Sequence, residues 1–351
     1  MKLILPAMSI LILVVAVALI GCDAIGEIRH LDLGDVSPPQ LNAQTIQDTG
    51  TITLEFDEPV TLHNGSLHLN SEDSAIQVQP DAGANTIGAK KISLEIQGET
   101  IPGKQYSLEL MVEDTNQNSL NIVMPFYGPN RNPARLIISE VLTAISSKNR
   151  DTIELYAQKG GNIGGITLFW GTTTDFDFAW SLPALEVRQG DYILLHCKPE
   201  NLPAEQDELN DVLASGGKNA SPLARDFWLR DAPGLPDTTG ILCLAENPLG
   251  AIKDALFYTD KLSVAGKDYR SFGTKKLLER AERLQAEGAW KCRGDLIVVE
   301  DAARSENLTA TRSLNRGSNQ ADTDSAADWH IVPTNQTSLG TRNNDAVYIK
   351  P

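Results

Sequence analysis

The sequence predicts an all-β protein with two β-sandwich domains in tandem. Apolar and polar residues alternate with a period of two in many short runs, which is the pattern of strands with one buried face. Asn, Gly, Asp and Pro separate the runs and supply the turns that a sandwich requires. A segment rich in Pro and Asn at 129–133 interrupts the pattern, and we interpret it as the linker between the domains.

The first 21 residues have the features of a secretory signal peptide. Lys2 gives a basic start, residues 3–20 carry no charge, and the small residue Gly21 precedes Cys22. The sequence LIGC at 19–22 resembles the lipobox of bacterial lipoproteins. That resemblance implies cleavage before Cys22 and attachment of lipid to its thiol. The alternative is an uncleaved anchor helix, because an apolar stretch of this length can just span a bilayer.

Either interpretation places the chain after Cys22 outside the cytoplasm. We expect a protein of the cell envelope, anchored by lipid to the outer or the inner membrane, with residues 22–35 as a tether. Each buried methylene contributes about 0.8 kcal/mol, so the two or three acyl chains that the resemblance implies hold a protein stably on a membrane. The membrane is therefore the first expected partner.

The charge distribution argues against nucleic acid as a partner. The net charge of the chain is −16, and residues 36–128 contain three basic residues against twelve acidic ones. Binding to phosphate backbones requires clustered Lys and Arg, which this region lacks. Electrostatic docking onto anionic lipid is disfavoured for the same reason.

Three cysteines remain beyond the lipid attachment residue, at 197, 243 and 292. Their spacing to each other and to His residues does not fit a zinc site, and we predict no metal. Cys197 and Cys243 both fall in apolar, strand-like runs. They are either small buried side chains or, in an oxidising compartment, a disulfide.

Residues 36–128 form the first predicted domain. Three motifs stand in order: FDEPV at 56–60, IPGKQY at 101–106 and VEDTN at 112–116. This succession resembles the bacterial Ig-like domains of surface proteins, although Gln117-Asn118 stands where Gly-Asn is usual. The resemblance implies an Ig-like sandwich that serves as a spacer or adhesion module and has no chemistry of its own.

Residues 134–345 form the second predicted domain. Their motifs follow in the order LIISEV (136–141), DTIELY (151–156), GITL (165–168), QGDY (189–192), DALFY (254–258), SLNR (313–316), DTDSAADW (322–329) and LGTRN (339–343). This succession resembles the lamin-tail domain, an Ig-like sandwich of nuclear lamins and of many secreted bacterial proteins. Ala157 and Ile166 depart from the pattern, at positions where Asn and often Trp stand.

The sequence predicts one helical insert in the second domain, near 274–287. Leu277, Leu278, Ala281 and Leu284 recur at helical spacing and form one apolar face, and Gly288 is placed to end the helix. Glu279 and Arg283 are spaced for an i,i+4 ion pair. We expect the helix to pack on the sandwich, with partner binding as the alternative.

Two glutamates deserve consideration as an acid–base pair. Glu140 and Glu154 are both acids in predicted strands. The lamin-tail pattern itself carries an acid at both positions, which favours a structural role. The spacing of Asp322, Asp324 and Asp328 suggests a calcium loop, but it lacks the Gly and the terminal Glu of an EF-hand. We therefore predict no catalytic residue, no cofactor and no enzyme.

One stretch is unusually aromatic. Five aromatic residues fall between 169 and 180. Phe176, Phe178 and Trp180 alternate with smaller or acidic residues, so an extended segment would direct all three to one face. That face either belongs to the core or forms an exposed surface for a protein or glycan partner.

These features together predict a membrane-anchored, non-catalytic lipoprotein that acts as a binding, adhesion or envelope-assembly module. The competing prediction is an accessory subunit of a secreted hydrolase, or a divergent extracytoplasmic enzyme. Lamin-tail domains accompany hydrolases in some bacterial proteins, but such proteins normally carry a separate catalytic domain. A surface pocket where several titratable groups converge would favour the competing prediction.

Overall fold

The computed structural model describes residues 35–47, 50–68, 76–81, 87–143, 151–260 and 268–351. The signal peptide, Cys22 and nearly all of the predicted tether lie outside these residues. The first domain contains strands β1 (Leu41–Ile46), β2 (Ile52–His68), β3 (Ile76–Pro80), β4 (Ala89–Ile96), β5 (Gln105–Asp114) and β6 (Ser119–Tyr127).

Strand β2 organises the first domain. Its first half pairs with β1 on one side and β4 on the other, and its second half pairs with β5 and β3. The described residues form a six-stranded sheet in the order β3-β4-β2-β5-β6, with β1 added beside β2. The apolar runs at 52–56 and 67–69 in the sequence therefore belong largely to one long strand.

The apolar side chains of this sheet meet in one core. Ile52, Leu94, Leu108 and Phe126 come from four different strands and are each fully buried. Because alternate residues of a strand point to opposite faces, this convergence requires the sheet to fold over its own apolar face. The polar residues between them face outward.

The second domain is a sandwich of two sheets. Its strands are β7 (Arg135–Leu142), β8 (Thr152–Lys159), β9 (Gly161–Asn162), β10 (Thr167–Gly171), β11 (Phe176–Ser181), β12 (Glu186–Val187), β13 (Tyr192–Cys197), β14 (Arg225–Leu229), β15 (Thr239–Ala245), β16 (Ile252–Thr259), β17 (Ala303–Arg304), β18 (Leu314–Arg316) and β19 (Trp329–Ile331). One sheet has five strands in the order β11-β10-β15-β16-β17. The other has six, in the order β14-β13-β8-β7-β18-β19, and the short strands β9 and β12 pair separately with each other. The prediction of an all-β protein is confirmed.

Helix α1 (Lys275–Ala286) packs on the five-stranded sheet at β15. The Thr274 hydroxyl accepts the backbone N–H of Leu277 at 3.1 Å and caps the first turn. Ala281 and Leu284 are fully buried in the domain core, and Gly288 follows the helix with φ +70°. The expected Glu279–Arg283 pair is not formed. Lys275 pairs with Glu279, and Arg283 pairs with Glu287.

The two domains touch through glycine backbones. A Cβ atom added at Gly103 would lie 2.1 Å from the Cα of Gly165 in the second domain. The linker adds a second tie, because the Asn130 side chain donates to the carbonyls of Asn162 and Gly164 at 2.8 and 3.0 Å. In the described part of the chain, no helix has the length and apolar character needed to cross a membrane.

Candidate functional site

The three aromatic residues predicted to share a face lie on β11, an edge strand of the five-stranded sheet. The pairing of β10 with β11 shifts register between Trp170 and Gly171. The Phe178 ring packs against Trp170 with a centroid distance of 5.0 Å, and the Phe176 ring packs against Phe169 at 5.1 Å. Since consecutive residues of β10 face opposite sides of the sheet, Phe176 and Phe178 also lie on opposite sides.

The prediction of one shared aromatic face is therefore wrong. Phe178 and Trp180 are half-buried against the core, where Trp180 contacts Phe227 at 5.4 Å, whereas Phe176 is 45% exposed. The cause is a β-bulge, which adds a residue to one strand and leaves no trace in the alternation of residue types. Of the three, Phe176 presents the most aromatic surface to solvent.

Arg280 of helix α1 holds the beginning of β11. Its guanidinium, only 5% exposed, donates to both carboxylate oxygens of Asp175 at 3.0 and 3.1 Å and to Asp177 at 2.7 Å. These hydrogen bonds lower the pKa of Asp177 to about 2. Sequence reasoning missed this contact because more than a hundred residues separate the partners. The carboxylates of Asp175 and Asp177, on either side of Phe176 in the sequence, are therefore both bound by Arg280.

Glu140 and Glu154 lie directly opposite each other on β7 and β8, and both are fully buried. Glu140 accepts the hydroxyl of Ser313 at 2.5 Å and both the hydroxyl and the backbone N–H of Ser338, at 2.6 and 3.1 Å. Glu154 accepts the N–H of Gly340 at 2.6 Å through Oε2, and its Oε1 has no hydrogen-bond partner. The segment around 338–340 thus closes over the two acids.

This environment raises the pKa of both acids. Burial, and then the neighbouring Glu140 carboxylate, raise the pKa of Glu154 well above its usual range. Burial also raises the pKa of Glu140, although the hydrogen bonds from Ser313 and Ser338 counteract the shift. Two acids that are enclosed by their own chain hold the C-terminal segment in place, which agrees with the structural role expected for them.

The six-stranded sheet contains a second buried polar cluster, which the sequence analysis did not predict. The Nε2 atom of His196 on β13 lies 2.7 Å from Oδ1 of Asp226 on β14, and Nδ1 lies 3.5 Å from the Thr152 hydroxyl. The Trp228 ring stacks on the imidazole at 4.1 Å. The order of hydroxyl, imidazole and carboxylate is that of a catalytic triad, but His196 and Thr152 are fully buried and Asp226 is 1% exposed. The group is therefore enclosed by the described residues of the second domain.

Two buried glutamates shape the long segment between β13 and β14. Glu205 accepts the backbone N–H groups of Glu200 and Leu202, and Glu208 accepts those of Ser215 and Asp226. Residues 209–214 project from this base and are all exposed. Leu213 at their tip is 67% exposed, so the segment presents apolar surface on a hydrogen-bonded support.

The acidic segment 322–328 binds a side-chain cation. The buried guanidinium of Arg316 donates to Asp254 at 2.8 Å, to Asp322 at 3.1 Å and to Asp328 at 3.2 Å. Burial raises the pKa of Asp254 to about 6 despite this contact. Because Arg316 occupies the position between the carboxylates, the segment forms an internal ion-pair network.

Three carboxylates also lie close together in the first domain, and one of them is bound by groups of its own turn. Carboxylate oxygens of Asp35, Glu58 and Asp114 lie within 4.8 Å of one another. Both oxygens of Asp114 are already used, since Oδ1 accepts the N–H groups of Asn116 and Asn118 and Oδ2 accepts the Asn118 side chain. These bonds close the turn after β5.

The three described cysteines are free thiols. Cys197 and Cys243 are fully buried, and burial raises the pKa of each thiol well above its usual range. The disulfide alternative is therefore not realised in this structure. The charges that act on Cys197 are those of Asp151 and Lys198, whereas those of Asp254, Glu287 and Arg280 act on Cys243. The two thiols thus occupy separate surroundings.

A cleft of about 390 Å³ lies between the two domains. The first domain contributes Gln44 of β1 and Tyr127 of β6, and the second contributes the turn between β15 and β16 with Glu246 and Asn247. The backbones of several glycines, Gly103 among them, form part of its walls. The Glu246 carboxylate pairs with Lys253 at 2.6 Å. Sequence analysis did not find this cleft because its residues come from both domains.

The second domain matches a known protein family. The family model described as "protein second domain" and named TP_1001_2nd covers residues 134–331, more than half of the chain. This chain belongs to that family.

Two further proteins resemble the chain. An uncharacterized protein of Treponema pallidum (strain Nichols) is 31% identical over 238 residues, which are 66% of this chain and 59% of that protein. The chain thus spans about three fifths of that relative. The crystal structure of a DUF4876 family protein from Bacteroides thetaiotaomicron VPI-5482 gives a TM-score of 0.28 at 10% identity, over 74% of this chain and 84% of that one. At this TM-score the likeness carries no argument about function.

The TP_1001_2nd match includes most of the buried polar groups described above. Glu140, Glu154, His196, Asp226 and Arg316 all fall between its limits, 134 and 331. The segment that closes over the two glutamates, near Ser338 and Gly340, follows the matched region, and the first domain precedes it.

Proposed function

We propose that this protein is a non-catalytic lipoprotein. Lipid on Cys22 holds it on a bacterial membrane, and its two β domains act as a binding, adhesion or envelope-assembly module outside the cytoplasm. We also propose that the first domain is of the bacterial Ig-like type and the second of the lamin-tail type, on the motifs at 56–116 and 136–343.

The observation that carries this proposal is the enclosure of the acid–base groups in the second domain. Glu140, Glu154, His196 and Asp226 are the side chains best suited to proton transfer, and each is at most 1% exposed. A general acid or base must come within hydrogen-bond reach of its substrate. These side chains instead bind backbone and side-chain groups of the same domain, which supports a structural role for them.

Two side chains of the second domain expose aromatic or aliphatic surface. Phe176 at the edge of the sandwich and Leu213 at the tip of the 209–214 segment are 45% and 67% exposed. Aromatic side chains such as Phe are enriched at protein interfaces relative to the rest of the surface. Exposure of this kind supports a binding function over catalysis.

The anchor is tested in growing cells that produce the full chain. Cells are labelled with an alkyne fatty acid, and the purified protein is examined for the label. We expect label on the wild type and on Cys292→Ala, which removes a cysteine that is not the acceptor, and none on Cys22→Ala. A wild type without label contradicts lipidation and favours an uncleaved anchor.

The same cells then establish which face holds the protein. Protease added to intact cells degrades a surface-displayed protein and spares one that faces the periplasm. Degradation supports a role in binding or adhesion at the cell surface. Protection supports envelope assembly instead.

A further inference from the structure

The interdomain cleft has the size and the setting of a ligand site. Its volume of about 390 Å³ falls in the range of about 300–1,000 Å³ that is typical of small-ligand sites. Such sites occur preferentially at domain interfaces. Neither the enclosed acids nor Phe176 line it, so it is separate from the features discussed so far.

Two contacts fix the walls of the cleft. Gly103 of the first domain packs against Gly165 of the second so closely that no side chain fits between them. The Asn130 side chain ties the linker to the backbone carbonyls of Asn162 and Gly164. Preformed walls reduce the entropy cost of ordering that a ligand would otherwise have to overcome.

The polar groups of the cleft are suited to an uncharged ligand. Among the described residues that line it, none is Lys or Arg, and Glu246 is the only acid. Glu246 is neutralised by Lys253 at 2.6 Å. The absence of a lining cation disfavours phosphates and other anions, which require positive partners.

The remaining lining groups match hydroxyls. The side-chain amides of Gln44 and Asn247 line the cleft. The Gln44 amide has both donors and an acceptor, as a sugar hydroxyl does, and the Asn247 amide has donors, while its oxygen accepts the backbone N–H of Leu249 at 2.9 Å. Tyr127 adds an aromatic ring whose hydroxyl is directed to Gln105 at 3.4 Å. Aromatic rings provide an apolar surface against which a sugar ring can pack.

We propose that the interdomain cleft binds a neutral saccharide, held by the amides of Gln44 and Asn247 and by the ring of Tyr127. The proposal deepens the binding function above and rests on it. The two remain separable, because the lipid-labelling experiment does not depend on any ligand and the experiment below does not depend on the anchor.

The test measures binding of neutral disaccharides to the purified full chain. Lactose, maltose, cellobiose and diacetylchitobiose are titrated separately and followed by saturation-transfer NMR, with sialyllactose as the anionic comparison. We expect saturable binding of at least one neutral disaccharide and no binding of sialyllactose. A chain that binds none of the four, or that prefers the anionic sugar, overturns the proposal.

Variants on β1 then locate the site. Gln44→Ala removes one lining amide, and we expect about fivefold weaker binding. Gln44→Trp fills the cleft, and we expect binding to be lost. Thr45→Ala is the matched control, because Thr45 is exposed on the same strand but does not line the cleft.

Circular dichroism verifies that each variant is folded. Binding that survives Gln44→Trp places the saccharide elsewhere and overturns the assignment. Titration with a neutral tripeptide completes the test, since a peptide that binds in place of every sugar identifies the cleft as a peptide site and also overturns it.

Discussion

The two facing glutamates of the second domain differ in how well the fold satisfies them. Glu140 accepts hydrogen bonds at both carboxylate oxygens, whereas Oε1 of Glu154 has no partner. Burial without a partner disfavours the charged form of a carboxyl group. The pKa of Glu154 is therefore raised further above its usual range than the pKa of Glu140. Burial thus disfavours the charged form of Glu154 more strongly than that of Glu140, although both are the same residue type at facing positions.

We predict that Glu154→Gln leaves the free energy of unfolding at pH 8 unchanged or higher, because Gln is uncharged and nearly isosteric with the protonated acid. Glu140→Gln is expected to cost about 1–3 kcal/mol, since it replaces an oxygen that accepts two hydrogen bonds. Urea denaturation of both variants checks this. Equal losses in the two variants would contradict the assigned difference.

The raised pKa of Glu154 also sets a pH dependence. In the native state Glu154 keeps its proton above the pH at which the unfolded chain releases it, about 4.3. Between the pKa of Glu154 in the unfolded chain and its raised pKa in the native state, the native state binds more protons than the unfolded chain. The free energy of unfolding therefore falls as the pH rises through this range. We expect a smaller decline in Glu154→Gln between pH 5 and pH 8, measured by urea denaturation at each pH. If the free energy of unfolding falls as steeply with pH in Glu154→Gln as in the wild type, the pH dependence belongs to Asp254, whose pKa is raised to about 6.

Arg316 is the counter-ion of three carboxylates in the core. Its guanidinium is 1% exposed and contacts Asp254, Asp322 and Asp328. Arg316→Met leaves Asp254 buried without its cation, and we predict a loss of about 3–5 kcal/mol in the free energy of unfolding. Arg312→Met is the control, because Arg312 contacts the Tyr348 ring at a half-buried site, where cation–π contacts contribute about 0.5–1 kcal/mol. Urea denaturation measures the free energy of unfolding of both variants. Similar losses in Arg316→Met and Arg312→Met would contradict the role assigned to Arg316.

Helix α1 depends on its contact with the aromatic edge strand. Arg280 spans from the helix to Asp175 and Asp177. Its hydrogen bonds depress the pKa of Asp177 to about 2, so the stability that this contact contributes is present above about pH 4 and is lost as pH falls toward 2. The contact therefore persists throughout the neutral range.

We predict that Arg280→Ala increases the amide hydrogen exchange of α1 selectively, because the helix loses its buried tie to β11 and keeps the more exposed pair of Lys276 with Asp177, while its cap at Thr274 remains. Arg283→Ala is the matched control. Arg283 is 46% exposed and pairs within the helix, so its removal is expected to change stability by at most about 0.5 kcal/mol. Faster exchange across the whole sandwich, rather than in α1, would contradict a local role.

The elements were predictable to different degrees for physical reasons. Alternation and turn residues reveal strands, and the apolar face with Thr274 and Gly288 reveals α1, because these signals are local. The bulge after Trp170, which separates Phe176 from Phe178, depends on pairing with a neighbouring strand and has no local signal. The same holds for the contact of His196 with Asp226, which forms only when β13 and β14 become parallel neighbours.

On the scale of the whole molecule, the relation between the domains depends on backbone contact rather than on side-chain packing. Gly103 and Gly165 both adopt positive φ, +70° and +86°, and approach each other within the distance that only glycine permits. Gly103 also lines the interdomain cleft. The geometry of the cleft therefore depends on this contact together with the hydrogen bonds of Asn130 to Asn162 and Gly164.

We predict that Gly103→Ala moves the domains apart, because its Cβ would lie 2.1 Å from the Cα of Gly165, while both cores stay folded. Gly88→Ala is the matched control. Gly88 also has positive φ, +63°, but an added Cβ there meets no atom within 4 Å, so both variants carry the same kind of backbone strain of about 1 kcal/mol. Small-angle X-ray scattering should show a larger radius of gyration for Gly103→Ala only. An equal change in both variants would attribute the effect to strain, and no change in either would mean that other contacts fix the domains.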